Sequence, residues 1–285
     1  MGSVTTKSMA NGLQYVEVDT ELCQARIFLQ GAQIDQFQPK GQSPLLWVSA
    51  ADDYQVGNGI RGGIPICWPW FGQSEIADFP QHGFARTRTW SLSSVNMQNQ
   101  LAIITLSLPI NHADKQYWPH DTQLKVVFEL GTRLKVSLVN TNNADYPVQL
   151  TQALHTYFPT SDIHNTQVDG LAGSQYIEFG QGPFKQPHNQ VAFTKETDRV
   201  YTNLQPQQII STPEGNIIVN RDNSHSAVLW NPWIAKSQRL SRFNDNDYLS
   251  MLCLEAANVL DDKVLLQPGD SHTLITEIFW QDEVN

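Results

Sequence analysis

Four segments of the chain gather residue types that could do acid–base or anion-binding chemistry. One closes an apolar run, Leu150-Thr151-Gln152-Ala153-Leu154-His155-Thr156-Tyr157-Phe158-Pro159. Histidine normally titrates nearest neutrality, so His155 is a candidate acid or base. The plainer alternative is a structural histidine on a strand, its hydrogen bonds satisfied. Another is Met251-Leu252-Cys253-Leu254-Glu255-Ala256-Ala257-Asn258-Val259. A carboxylate in such an apolar stretch must be paired, or must lie where the strand opens onto a cavity. Partial burial would raise the Glu255 pKa toward the range of a general base. Its alternative is a carboxylate held by backbone or by an arginine.

Two further segments carry the cations. In Pro80-Gln81-His82-Gly83-Phe84-Ala85-Arg86-Thr87-Arg88, a histidine and two arginines crowd together. Arginine presents a planar fork of donors suited to phosphate oxygens. Residues 57–72, rich in Gly, Pro and Trp, add Arg61 within a stretch that no regular element accommodates. Such a stretch reads as a shaped loop on a rigid scaffold, or else as a hydrophobic plug. With Arg61, two or three guanidinium groups could meet and hold a phosphate dianion. The alternative for each arginine is a surface ion pair with one of the 28 acids. No Walker loop, dinucleotide fingerprint, His-Glu-x-x-His motif or nucleophile elbow is present. No cofactor and no metal is expected.

The elements that must position these residues read as strands. Along residues 123–140, Leu124, Val126, Phe128 and Leu130 point one way, and Leu134, Val136 and Leu138 do the same after a turn at Gly131-Thr132. This predicts an antiparallel hairpin with one buried face. Further strands are expected at 14–18, 23–29, 101–108, 148–154, 217–220, 227–230, 249–254 and 274–280, with turn signals between them. One short helix is expected within 237–248. Many short strands and few helices predict an all-β sandwich or barrel. With no repeat and no linker, residues 1–285 are expected to form one domain.

The formal charge of −10 arises from 18 basic against 28 acidic residues with no basic run. That disfavours nucleic acid, whose affinity rests largely on Lys and Arg neutralising phosphates. An anionic small molecule would need a local arginine cluster to overcome this field. The three cysteines, Cys23, Cys67 and Cys253, have no motif spacing, which fits a reducing cytoplasm. No signal peptide and no membrane-length apolar run is seen. A cytoplasmic monomer acting on a small molecule is expected.

Together the segments resemble the glucose-6-phosphate 1-epimerase (hexose-6-phosphate mutarotase) family of the galactose-mutarotase-like superfamily. The resemblance rests on Arg61-Gly62-Gly63-Ile64-Pro65, Trp68-Pro69-Trp70-Phe71-Gly72, Gln81-His82-Gly83-Phe84-Ala85-Arg86, Leu154-His155-Thr156-Tyr157-Phe158, Trp230-Asn231-Pro232-Trp233 and Leu254-Glu255-Ala256, in this order. It implies a large antiparallel β-sandwich, the galactose mutarotase-like supersandwich, and a cofactor-free isomerase that interconverts the α and β anomers of a hexose 6-phosphate. It implies that His155 and Glu255 are catalytic and that Arg61, Gln81, Arg86 and Asp198 contact substrate, the arginines at the phosphate. The family pattern more often has Gly where Ala257 stands, a small change. His82 is expected to shape the pocket or to donate to the phosphate; Lys236 receives no role. On this reading Glu255 takes the C1 hydroxyl proton while His155⁺ protonates the ring oxygen. Activity should then fall at low pH as Glu255 protonates and at high pH as His155⁺ loses its proton. An aldose 1-epimerase of free sugars, or a non-catalytic sugar-phosphate-binding protein, are the alternatives.

Overall fold

The computed structural model of the chain describes residues 2–74, 76 and 78–282. Alternation with period two sets its form. In Thr122–Leu130 the side chains of Leu124, Val126, Phe128 and Leu130 are buried while those between are half-buried. Leu134–Asn142 answers with Leu134, Val136 and Leu138. The two strands pair antiparallel from Thr122 opposite Asn142 to Leu130 opposite Leu134, as the hairpin expectation requires. They belong to a nine-stranded antiparallel sheet that runs from Val191–Ala192 at one edge to Ser91–Gln98 at the other.

An eight-stranded sheet packs against it. Its order is Gln181–Lys185, Gln175–Glu178, Thr197–Thr202, Ser226–Asn231, Met251–Asn258, Gln152–Leu154 and Ile66–Cys67, and Tyr157–Pro159 also pairs with Met251–Asn258. Leu252, Leu254 and Ala256 from this sheet share one core with Val136, Leu138, Leu274 and Ile278 from the other. Each of the Val, Leu and Ile side chains contributes about 1.5–3 kcal/mol on full burial. The result is the expected all-β sandwich. A four-stranded sheet, Ser3–Ser8 to Gln33–Pro39, and the two-stranded pair Val148–Leu150 and Val264–Leu266 complete it.

The structure departs from the sequence expectations at three places, each of which bears on the site. The expected strand 148–154 is two strands on two different sheets, broken at Thr151. Thr151 turns away from both ladders: its N–H donates to the Pro69 carbonyl (3.1 Å) and its Oγ1 accepts from the Phe71 N–H (2.9 Å). The expected strand 249–254 is Met251–Asn258, so Glu255 lies inside it rather than beyond its end. The helix expected within 237–248 is misplaced: the α-helix is Trp233–Ser237, and a single 3₁₀ turn follows at Asp247–Leu249. Arg242 adopts a left-handed φ of 56°, which a helix does not tolerate. Its guanidinium reaches back to the Gly59 carbonyl (2.8 Å).

Candidate active site

All of Met251–Asn258 is buried, yet its two faces differ. Leu252, Leu254 and Ala256 enter the inter-sheet core, whereas Cys253 and Ala257 lie with Tyr157, Val228 and Trp230 on the opposite face. Glu255 shares that second face by the alternation of the strand. Leu154 stands opposite Ala256, and Tyr157 opposite Cys253. The same register places His155 directly across from Glu255, and cross-strand neighbours approach to about 5 Å between Cβ atoms. Two residues a hundred positions apart therefore meet, with His155 Nε2 3.3 Å from Glu255 Oε1. On its other side, the His155 backbone N–H donates to the Pro65 carbonyl (3.0 Å).

The pair lies deep, the His155 side chain 13% exposed and that of Glu255 1%. The His155 ring stacks on Tyr157 (centroids 4.9 Å apart, planes 15°) and meets Trp230 and His82 edge-on, both at 6.1 Å. Burial pushes the Glu255 carboxyl well above its ordinary range, reinforced by the Asp198 carboxylate. Burial pushes the His155 imidazole well below neutrality, helped by His82, Arg86 and Arg61. Both directions favour an uncharged pair, an acid against an imidazole, holding one proton between two groups. The sequence expectation was the opposite distribution, a Glu255 carboxylate facing His155⁺. The reason for the difference is burial, which opposes charge on either group.

The Gly-rich segments fold as they do because backbone passes against backbone. Gly63 has a φ of +63°, and a Cβ there would lie 2.2 Å from the Ile34 carbonyl oxygen; its own carbonyl accepts from the Tyr157 N–H (2.9 Å). Gly83 has a φ of +72°, and a Cβ there would lie 1.9 Å from the Trp68 carbonyl oxygen. Only glycine fits such positions. Just before it, His82 is fixed twice by Gly72: its N–H donates to the Gly72 carbonyl (2.7 Å), and its Nδ1 accepts from the Gly72 N–H (3.2 Å). The ring proton is thereby assigned to Nε2. Burial, with Arg86 and Arg61 nearby, lowers the His82 pKa to about 3, so the ring is a neutral donor.

Arg61 and Arg86 supply positive charge without a counter-charge among the described residues. Arg61 is tethered through its backbone, its N–H donating to the buried Asp52 Oδ2 (2.6 Å). Its Nε is buried without a partner among the described residues. Among these, the Arg86 side chain donates only to the Gln81 carbonyl (2.7 Å), and His155 Nδ1 and Glu255 Oε2 likewise lack partners. Three orphaned polar atoms on the residues of one cavity mark a place where a polar ligand supplies the missing hydrogen bonds.

That cavity has a volume of about 440 Å³, and the catalytic and substrate-contacting residues expected from sequence line it: Arg61, Gln81, His82, Arg86, His155, Asp198 and Glu255. Arg88 does not; its Nε donates to the buried Asp114 Oδ1 (2.6 Å), the surface-pair alternative realised. Trp230, Tyr157, Lys236 and Arg242 line the cavity as well. The first three stood in the quoted motifs or beside them without a role. Arg242 carried no sequence signal, since only its contacts with Gly59 and Asp52 bring it to the site.

Residues 14–278 match the family model described as aldose 1-epimerase. The chain belongs to the aldose 1-epimerase family. A protein of Salmonella typhimurium provisionally named glucose-6-phosphate 1-epimerase is 32% identical over 258 residues, 88% of this chain and 85% of that one. An Escherichia coli protein of the same provisional name is 31% identical, covering 94% and 91%. The crystal structure of a provisionally assigned mutarotase from Salmonella typhimurium superposes with a TM-score of 0.90 at 29% identity, over 97% of this chain and 92% of that one. A galactose mutarotase-like protein from Lactobacillus casei shares the fold at 14% identity, with a TM-score of 0.70 over 94% and 100%. The chain is thus an isomerase of the mutarotase kind, acting on hexose anomers. No helix of the described residues is long and apolar enough to cross a membrane.

Proposed function

We propose that the chain interconverts the α and β anomers of a hexose 6-phosphate in the cytoplasm, with glucose 6-phosphate as the leading substrate. In this reading Glu255 and His155 are the catalytic base and acid, and Arg61 and Arg86 hold the phosphate. The observation that carries it is the juxtaposition of the 3.3 Å Glu255–His155 contact with two guanidinium groups that lack carboxylate partners among the described residues. A neutral sugar has no use for two uncompensated cations, whereas a phosphate dianion satisfies their forked donors. The relatives named glucose-6-phosphate 1-epimerase support the same substrate.

The chemistry follows from one carbon. Anomers exchange when the ring opens, C1–C2 rotates, and the ring closes on the other carbonyl face. Opening removes a proton from the C1 hydroxyl, breaks the bond between C1 and the ring oxygen, and protonates that oxygen. The two oxygens share C1, so base and acid must stand side by side, as Glu255 and His155 do. The proton of the resting pair moves from Glu255 to His155, giving carboxylate and imidazolium. Glu255 then takes the hydroxyl proton as His155 delivers its own to the ring oxygen. The product state is again carboxylic acid and neutral imidazole, the distribution that burial favours. Closure runs the transfers backwards, and the proton count never changes. Each positioned transfer supplies about 10²–10⁴-fold in rate. Phosphate held by the arginines orients C1 against the pair. His82 adds a neutral Nε2–H donor, Gln81 is an exposed residue of the lining that contacts the sugar phosphate, and Asp198 accepts from sugar hydroxyls.

Magnetisation-transfer NMR on glucose 6-phosphate and on glucose tests the reading. Faster anomer exchange of the phosphate than of the free sugar is expected. Equal acceleration of both would make the chain a broad aldose 1-epimerase. Binding of the phosphate without acceleration would make it a sugar-phosphate-binding protein.

A further inference from the structure

The four cations that line the cavity fall into two kinds. Arg61 and Arg86 have no carboxylate partner among the described residues, as noted above. Arg242 is paired with the buried Asp52 (3.3 Å), and Lys236 is held between Glu196 (3.2 Å) and Asp198 (3.4 Å). A phosphate dianion brought to Lys236 would face two carboxylates at close range, so it goes to the unpaired arginines. The neutral part of the ligand is left to the wall where Lys236 and Asp198 stand.

That wall is equipped to read hydroxyls. Asp198 lies on Thr197–Thr202 directly opposite Trp230, and Lys236 lies on the helix Trp233–Ser237 with its Nζ 5.8 Å from the centre of the Trp230 ring. Both side chains line the cavity and are about one-third exposed, 31% for Lys236 and 38% for Asp198. Lysine carries three N–H donors; one goes to Asp198 Oδ2 and Glu196 Oε1 lies 3.2 Å away, so at least one remains. The Asp198 carboxylate has acceptor capacity beyond the lysine. Spare donor and spare acceptor capacity therefore belong to two groups already joined at 3.4 Å, beside a flat aromatic face, with the same Trp230 ring 6.1 Å from that of His155. A hydroxyl both gives and accepts a hydrogen bond. Two neighbouring hydroxyls on a sugar ring match such a pair, one donating to Asp198 and the other accepting from Lys236.

We infer that Lys236 and Asp198 together read two neighbouring ring hydroxyls, and that Lys236 is a specificity-determining residue of this epimerase. The inference rests on the hexose phosphate reading for the direction in which the sugar lies. It assigns the choice among hexoses differing at one hydroxyl to this pair, not to the arginines.

The test measures kcat/KM for anomer exchange of glucose 6-phosphate and of its 2-deoxy, 3-deoxy and 4-deoxy analogues, in wild type, Lys236→Met and Asp198→Asn. Lys236→Met should lower kcat/KM for the parent sugar about 10- to 100-fold, the range for a hydrogen bond to a charged group. For one deoxy analogue that penalty should vanish, because the hydroxyl being read is already gone. Asp198→Asn should lose its penalty at the same or the adjacent carbon. An equal penalty on all four sugars would overturn the inference and leave Lys236 a structural strut. Should Lys236→Met not fold, Lys236→Arg decides the matter: it keeps the charge but moves the donor. An altered order of preference among the analogues supports the reading, and an unchanged order overturns it. Failure of the phosphate reading is visible separately, as wild type exchanging free glucose and its phosphate equally fast.

Discussion

Replacing Glu255 by glutamine changes one atom at the centre of the site and should move activity and stability in opposite directions. The amide has the shape of the carboxyl and can donate to His155 Nε2 across the existing 3.3 Å contact, so packing around the 1% exposed side chain is kept. It cannot accept the C1 hydroxyl proton. Loss of one positioned proton transfer predicts a fall in kcat of about 10²–10⁴-fold with little change in KM. Stability behaves differently. The folded-state pKa of Glu255 is raised above its ordinary 4.5, so above that pH the folded state holds a proton that the unfolded state has released. Wild type therefore loses stability relative to the glutamine variant as pH rises from 4.5 toward the folded pKa, by at most about 1.4 kcal/mol per pH unit. At neutral pH the variant should be the more stable protein and the nearly inactive one. Magnetisation-transfer NMR gives the first quantity, and urea unfolding at pH 5 and pH 7.5 gives the second. A kcat reduced by less than about tenfold would remove Glu255 from the chemistry. A stability difference that does not change between the two pH values would refute the argument that burial holds its proton.

Other outcomes follow from the same geometry. Arg86→Ala should raise KM for glucose 6-phosphate about 10- to 100-fold while leaving free glucose nearly unaffected; equal effects on both sugars would argue against phosphate recognition. The pH–kcat profile should be bell-shaped, with an acid limb below pH 6.5 as His155 takes a second proton and an alkaline limb that Glu255→Gln abolishes; a variant that loses the acid limb instead would reverse the assignment. Gly83→Ala should destabilise the fold by about 1–3 kcal/mol and lower activity. Its Cβ meets the Trp68 carbonyl oxygen at 1.9 Å, displacing the turn that carries His82 and Arg86, and unaltered urea unfolding would refute that account.

Much of this was legible in the chain itself. The alternation of Leu124 to Leu130 and Leu134 to Leu138 specified a half-buried hairpin because a strand presents side chains to opposite faces. The density of Gly, Pro and Trp in residues 57–72 marked a shaped loop, and Gly63 within it stands where no Cβ fits. The types of His155, Glu255, Arg61 and Arg86 suggested the chemistry proposed above, since few other side chains exchange protons near neutrality or fork onto a phosphate. Their neighbours did not reveal which arginine was free. Arg86 and Arg88 are two residues apart and look alike in sequence, yet Arg88 is consumed by Asp114 while Arg86 faces the cavity. That choice depends on a residue 26 positions away. Long-range register decided the rest. The antiparallel pairing of Leu154 with Ala256 and of Tyr157 with Cys253 is what sets His155 against Glu255, and a slip of one residue would turn the carboxylate into the inter-sheet core. Arg242, Lys236 and Trp230 reach the site only because strands and loops distant in sequence converge there. The sequence by itself determined the all-β architecture and singled out the groups proposed to react, because alternation and residue type are local properties. Only the tertiary structure decided which charges stay unpaired and where the shared proton resides, because pairing and burial depend on what each group meets across the fold.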